Sequence, residues 1–140
     1  AYEIPKRDWS SDVCSSDLRF PSDGSLHDGT ATNQIQGYNY ISNYAATVRA
    51  TGQANTDPSI SVSPTSGTRY KKAIAIKAND YRIAANGTQG ANVNPTFVPT
   101  VNSLTIGASP IGQNVINSTI YRLTYWPQRL PNATLQEITR

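Results

Sequence analysis

Residues 69–87 read Arg-Tyr-Lys-Lys-Ala-Ile-Ala-Ile-Lys-Ala-Asn-Asp-Tyr-Arg-Ile-Ala-Ala-Asn-Gly, and their pattern decides the fold class. From Arg69 to Ala78, Tyr70, Lys72, Ile74, Ile76 and Ala78 fall on one face of an extended chain, and Lys71, Ala73, Ala75 and Lys77 on the other. This period of two predicts a strand with its isoleucine face in the core. Asn79-Asp80 then turns the chain into a second strand, Tyr81 to Ala85. Asn86-Gly87 is a hairpin signal, because a type I′ turn needs φ > 0 at both central positions and Asn and Gly reach it most cheaply.

Working outward, the same rhythm of short β-prone runs and Gly, Pro, Asn or Ser breaks continues on both sides. Gln34 to Tyr40 and Tyr44 to Ala50 are predicted strands, the second stopped at Gly52. His27-Asp28-Gly29-Thr30 reads as a turn. Ile60 and Val62 alternate with serines before the Pro64 to Gly67 turn, which predicts a half-buried strand. Ala91 to Thr100, with two prolines, reads as a surface loop, and Leu104 and Ile106 open another strand. Ile116 to Trp126 is predicted as a long closing strand, with a bulge near Tyr121 and Arg122 to reconcile its broken alternation. Between about 131 and 139 the period changes: Leu135 and Ile138 lie three apart and Asn132 is placed to cap, so a short helix against a sheet edge is expected. The fold class is therefore all-β, an antiparallel sandwich with a short C-terminal helix.

Composition agrees and narrows the function classes. The chain has 140 residues, the size of one domain, and only 15% are charged against about 25% in typical soluble proteins. The net charge of +3 comes from scattered basic residues, without the continuous footprint that nucleic-acid binding requires. No apolar run is long enough to span a membrane, and no secretory leader is apparent. Neither membrane insertion nor a nucleic-acid partner is expected.

Asp8-Trp-Ser-Ser-Asp-Val-Cys-Ser-Ser-Asp-Leu18 resembles the translation of a sequencing adapter. It contains three acids, the single cysteine and one of two tryptophans, so the rest of the chain is cysteine-free and more basic. Residues 1–18 are accordingly read as a non-native or disordered leader and 19–140 as the domain, with one or more native N-terminal strands expected to be lacking.

Ile120-Tyr-Arg-Leu-Thr-Tyr-Trp-Pro-Gln-Arg-Leu-Pro-Asn-Ala-Thr-Leu-Gln136 resembles the closing strand and helix of concanavalin A-like, laminin-G-like domains, with Arg129-Leu130 and Asn132 to Leu135 as the matching steps. Tyr125-Trp126-Pro127 and the hairpin beginning at Lys72 are similar to those of tailed-phage tail and head-fibre proteins. The resemblance implies a jelly-roll sandwich and a virion setting. It further implies that the chain is made in the host cytoplasm, with other virion proteins, copies of itself or a host-surface glycan as partners.

Catalysis is not expected. Glu3, Asp23, Asp28, Asp57, Asp80 and Glu137, the acids outside the adapter-like stretch, form no paired-carboxylate motif and stand mostly in turn contexts. His27 is the single histidine, without a local partner for a triad or metal site, and reads as a solvated loop residue. No cofactor or metal is expected. The sequons at Asn86, Asn117 and Asn132 are read as structural. Tyrosine is in excess, and Tyr38, Tyr40 and Tyr44 lie close together. Exposed on a strand face, such rings stack on sugars, so these three are the candidate ligand-binding residues of a glycan-attachment or lectin-like module. The favoured reading is a non-enzymatic virion structural or interaction domain, with which host-glycan attachment is compatible; a dedicated carbohydrate-binding, lectin-like module is the alternative, and a glycan hydrolase comes after both.

Overall fold

The structure, a computed structural model, describes residues 13–15, 22–39, 42–65, 67–116 and 118–140, with side chains described from Ser22 onward. Ten strands and one helix are found among them: β1 Val13–Ser15, β2 Ser22–His27, β3 Gln34–Asn39, β4 Tyr44–Arg49, β5 Ser59–Ile60, β6 Lys72–Ala75, β7 Arg82–Ala85, β8 Thr88–Gln89, β9 Ser103–Ile106, β10 Ser118–Ile120 and α1 Asn132–Ile138. They form a five-stranded sheet of order β5-β4-β3-β2-β9 and a three-stranded sheet of order β6-β7-β8. Every strand pair is antiparallel. Val13–Ser15, inside the adapter-like stretch, pairs with Ser118–Ile120 apart from both main sheets.

The deciding hairpin forms as read. Asn79 takes φ 63°, and Asn86 and Gly87 take 46° and 74° in the turn joining β7 to β8. The Asn86 side chain is structural, its Oδ1 accepting a 3.0 Å hydrogen bond from the Lys71 amide. The strand before it is shorter than its alternation suggests, Lys72–Ala75 instead of 69–78, and both its faces are covered. Tyr44, Ile60, Tyr70, Ile83 and Ala85 form one core cluster, with Ile74 packed against it. On the opposite face Ala73, Ala75 and Ala84 pack on Leu135. Alanine has no side chain beyond Cβ, so the helix approaches the sheet closely there. The three-stranded sheet is thus the middle layer, and α1 lies on its face, not along an edge.

Asn132 is not the cap expected of it. Pro131 holds the cap position and Asn132 is the first helical residue, its Oδ1 accepting from the Arg129 guanidinium, which also reaches Asp80 at 2.8 Å. The helix is tethered to the β7–β8 hairpin. Gln136 Nε2 donates to the Gly87 carbonyl at 2.7 Å, and the Gly87 amide donates to Thr139 Oγ1 at 3.2 Å.

The closing strand is the largest departure from expectation. Among the described residues only Ser118–Ile120 of this stretch is in a strand, and residues 121–126 form none, so no bulge is needed to reconcile them. The strand expected around Ile60 and Val62 is likewise confined to Ser59–Ile60, leaving Val62 43% exposed. Two strands are unanticipated by the sequence reading, β1 within the adapter-like stretch and β2. Ser22–His27 carries few β-formers, yet it is held between β3 and β9.

The buried phenols give the fold an alkaline limit. Burial raises Tyr70 well above its ordinary range, pushes Tyr81 up to about 12 and raises Tyr44. A phenol that stays protonated when folded but ionises near pH 10 when unfolded contributes stability below pH 10 and loses it as pH rises toward its folded value. Denaturant unfolding at pH 8, 10 and 11.5 should therefore show stability falling beyond pH 10, by about 1.4 kcal/mol per pH unit for each such phenol. A flat profile across that interval would mean that these rings are solvated.

Candidate functional site

The two faces of the five-stranded sheet are chemically different. Residues opposite one another in the antiparallel register share a face. Toward the second sheet lie Leu26 opposite Ile35, Ile35 opposite Val48, and Gly37 opposite Ala46. On the outer face one row runs His27, Gln34, Arg49 across β2, β3 and β4, and the next runs Ser25, Gln36, Thr47. Thr105 of β9 extends the second row. Every side chain in these rows can donate or accept a hydrogen bond.

This polar face lies below the surface. Ser25 is 1% exposed, Gln34 2%, Thr47 6%, and Gln36 and His27 7% each. Some groups are satisfied internally. The Gly29 amide donates to His27 Nδ1 at 2.9 Å, which leaves Nε2 as the protonated nitrogen, 2.8 Å from Thr105 Oγ1. His27 is therefore an anchored strand residue and not the solvated loop residue expected of it. Thr47 Oγ1 donates to Asp57 Oδ1 at 2.7 Å. Others are not: Ser25 Oγ, Gln34 Oε1 and Arg49 Nε are buried without a hydrogen-bond partner among the described residues. A buried polar atom left unpaired costs about 1–3 kcal/mol, which sets these three apart from the internally paired groups beside them.

The tyrosines expected to form the site are divided by the pleat. Tyr38 is on the polar face, opposite Ala45, but only 7% exposed. Tyr44 is on the inner face, 2% exposed, with its ring centroid 5.0 Å from that of Tyr70. It is a core residue and cannot stack on a ligand. Tyr40 lies outside the described residues. The missed signal is the polar alternation Ser25-His27, Gln34-Gln36 and Thr47-Arg49, present in the sequence but overshadowed by the aromatic residues.

Beneath the inner face is a polar network of another kind. The β2–β3 register shifts between Ser22 and Gly24, and this bulge holds Asp23. Asp23 pairs there with Lys72, the two side chains being 6% and 2% exposed. Lys72 Nζ also donates to the Tyr38 carbonyl at 3.1 Å and to Asn39 Oδ1 at 3.2 Å. Tyr70 donates to Asp23 Oδ1 at 3.0 Å, and Asn39 Nδ2 donates to the same oxygen at 3.2 Å. Burial lowers the Lys72 pKa, and the Asp23 charge opposes that shift. The network is closed on itself and ties β2 and β3 to β6.

The carboxylates of the described residues are similarly engaged. Asp28 accepts from Thr30 and Asn33, which hold its pKa low; Asp57 accepts from Thr47, Asp80 from Arg129 and Glu137 from Arg140. Among the described residues no cluster of three or more His, Cys, Asp or Glu could hold a metal ion, and no helix is long and apolar enough to cross a membrane.

Fold and face together define an antiparallel β-sandwich with one polar sheet surface. The same architecture occurs in the CBM40 of the Ruminococcus gnavus IT-sialidase. The structure bound to alpha2,3 sialyllactose matches with a TM-score of 0.75 at 15% identity, covering 96% of this chain and 85% of that one. The structure bound to alpha2,6 sialyllactose matches at 0.73 and 19%, covering 94% and 80%. A third CBM40 structure from the same sialidase matches at 0.74 and 16%, covering 94% and 82%. These likenesses establish the fold as a jelly-roll-like β-sandwich. No protein-family model and no curated protein matches the chain.

Proposed function

We propose that this domain is a non-catalytic carbohydrate-binding module whose ligand face is the outer surface of β2, β3 and β4. The observation that carries the reading is the patch of unpaired buried atoms, Ser25 Oγ, Gln34 Oε1 and Arg49 Nε, within two adjacent polar rows. Sugars present closely spaced hydroxyls that both donate and accept, and amide, hydroxyl and guanidinium groups meet that demand. The solved structures with this fold include sialidase carbohydrate-binding modules bound to sialyllactose, which supports the same class of ligand here. Engagement of the described carboxylates in local contacts favours binding over hydrolysis. Because the rows lie beneath the surface, ligand entry is coupled to displacement of whatever covers them. A virion setting rests on the resemblance of Tyr125-Trp126-Pro127 and the β6–β7 hairpin, and it is compatible with glycan attachment.

The test is a glycan array that includes both sialyllactose linkages and lactose, run with the parent protein and with Gln34→Ala/Arg49→Ala, each checked for folding by circular dichroism. Selective binding that falls at least tenfold in the variant is the expected result. Binding unaffected by the double substitution would move the site elsewhere, and no binding by the folded parent would remove the proposal.

A further inference from the structure

The polar network between the sheets contains the parts of a covalent reaction as well as those of an ion pair. Lys72, the first residue of β6, runs beneath β3: a Cβ built on Gly37 would lie 3.5 Å from both its Cε and its Nζ. Its amine is thereby held 3.2 Å from Oδ1 of Asn39, the last residue of β3, and so beside the amide carbon that carries this oxygen. Asp23, Asn39, Tyr70 and Lys72 are each at most 5% exposed, which keeps bulk water away from the amide.

Asp23 bridges the two nitrogens concerned. Its Oδ2 contacts Lys72 Nζ, and its Oδ1 accepts from Asn39 Nδ2 at 3.2 Å. The Tyr70 hydroxyl donates to the same Oδ1 at 3.0 Å and accepts from Asn39 Nδ2, which fixes the amide group in place. A nucleophile, a leaving nitrogen and a carboxylate touching both are what displacement of ammonia from an amide requires: a base where the amine attacks and an acid where the nitrogen departs. Burial lowers the Lys72 pKa against the opposing charge of Asp23, and this favours the uncharged amine, the form that attacks.

We infer that Lys72 and Asn39 are the partners of an intramolecular isopeptide bond, formed within the folded chain with Asp23 as proton carrier. A bond forms from Lys72 Nζ to Asn39 Cγ, and the bond from Cγ to Nδ2 breaks. Of the protons on the Lys72 ammonium, one stays in the new secondary amide, another is taken up by Asp23 and handed to Nδ2, and the last leaves with the released ammonia as ammonium. Asp23 ends as the carboxylate it began as, and no oxidant, cofactor or further reactant is consumed. The product staples β3 of the five-stranded sheet to β6 of the three-stranded one across 33 positions of sequence. A cross-link over such a span restricts the unfolded chain and holds the two layers together when the domain is strained. The bond is independent of glycan binding, since it lies on the opposite side of the five-stranded sheet from the polar rows.

The test is the intact mass of the full chain, freshly purified and after prolonged incubation at neutral pH. The expected result is a mass about 17 Da below that of the unmodified sequence, the loss of one ammonia. Tryptic digestion should then give a branched peptide joining residues 20–49 to residues 72–77, with Lys72 resisting cleavage. Lys72→Met and Asn39→Ala should retain the full mass. Asp23→Asn, which keeps the shape of the side chain but cannot carry the proton, should slow bond formation by about a hundredfold or more. The decisive signal is in the parent, whatever the fold of the variants: the full mass without a branched peptide overturns the inference. So does an ammonia loss that tandem spectra place at Asn86-Gly87, or a link from Lys72 to Asp23 with loss of water.

Discussion

Asp23→Ala should lower stability by about 3–5 kcal/mol, because it leaves the Lys72 ammonium buried without its counter-charge. For a domain of this size that corresponds to a drop in Tm on the order of 10–15 °C. The substitution also removes the acceptor used by Tyr70 and Asn39, so no group already in place can replace it. The double variant Asp23→Ala/Lys72→Met should recover part of the loss, since no charge is then stranded and methionine fills similar volume. Thermal unfolding of the three proteins checks both statements. A single variant melting within about 2 °C of the parent would mean that Lys72 reaches solvent.

Gly90→Ala should be nearly as damaging for a steric reason. A Cβ at this position would lie 2.9 Å from Ile83 Cγ2, 3.2 Å from Ile60 Cγ1, and closer still to the Ser59 carbonyl oxygen. Ile83 and Ile60 are core residues, and the Ser59 oxygen is backbone, so relief requires β5 to move away from the second sheet. Overpacking of this kind costs about 1–3 kcal/mol and more when backbone must shift. Gly52 supplies the contrast: an added Cβ would meet nothing within 4 Å, and at φ 75° alanine is penalised only by its backbone conformation. Urea unfolding midpoints should place Gly90→Ala clearly below Gly52→Ala; the reverse order would contradict the close sheet contact.

The parts of the fold read correctly from sequence are those governed by local rules. Asn86-Gly87 specifies its turn through backbone sterics alone, and Gln34 to Asn39 and Tyr44 to Arg49 show ordinary strand patterns. Misreadings arise where tertiary context decides. Ser22–His27 is extended because two neighbours hold it, and no local propensity records that. Tyr121 to Trp126 has β-forming residues but forms no strand among the described residues, and composition alone does not reveal that. Lys72 is a polar residue on what looks in sequence like an apolar face; its partner Asp23 is far away along the chain and is aimed inward by a bulge. The candidate site is half legible. The strand face carrying Tyr38 can be singled out from sequence, but ring exposure is a property of the assembled layers, and the amides and hydroxyls beside it are the better guide.

The position of β2 also has a consequence for how the chain is made. One of its neighbours, β3, follows at once, but the other, β9, is about 80 residues downstream, with Gly24 opposite Ile106. At roughly 5–20 residues per second, the edge of β2 waits about 4–16 s on the ribosome for that partner. During this interval the nascent β2–β3–β4 meander presents serine, histidine, glutamine and threonine on one side, and those residues hold water instead of recruiting another chain. That side of the unfinished sheet can therefore stay hydrated until β9 arrives.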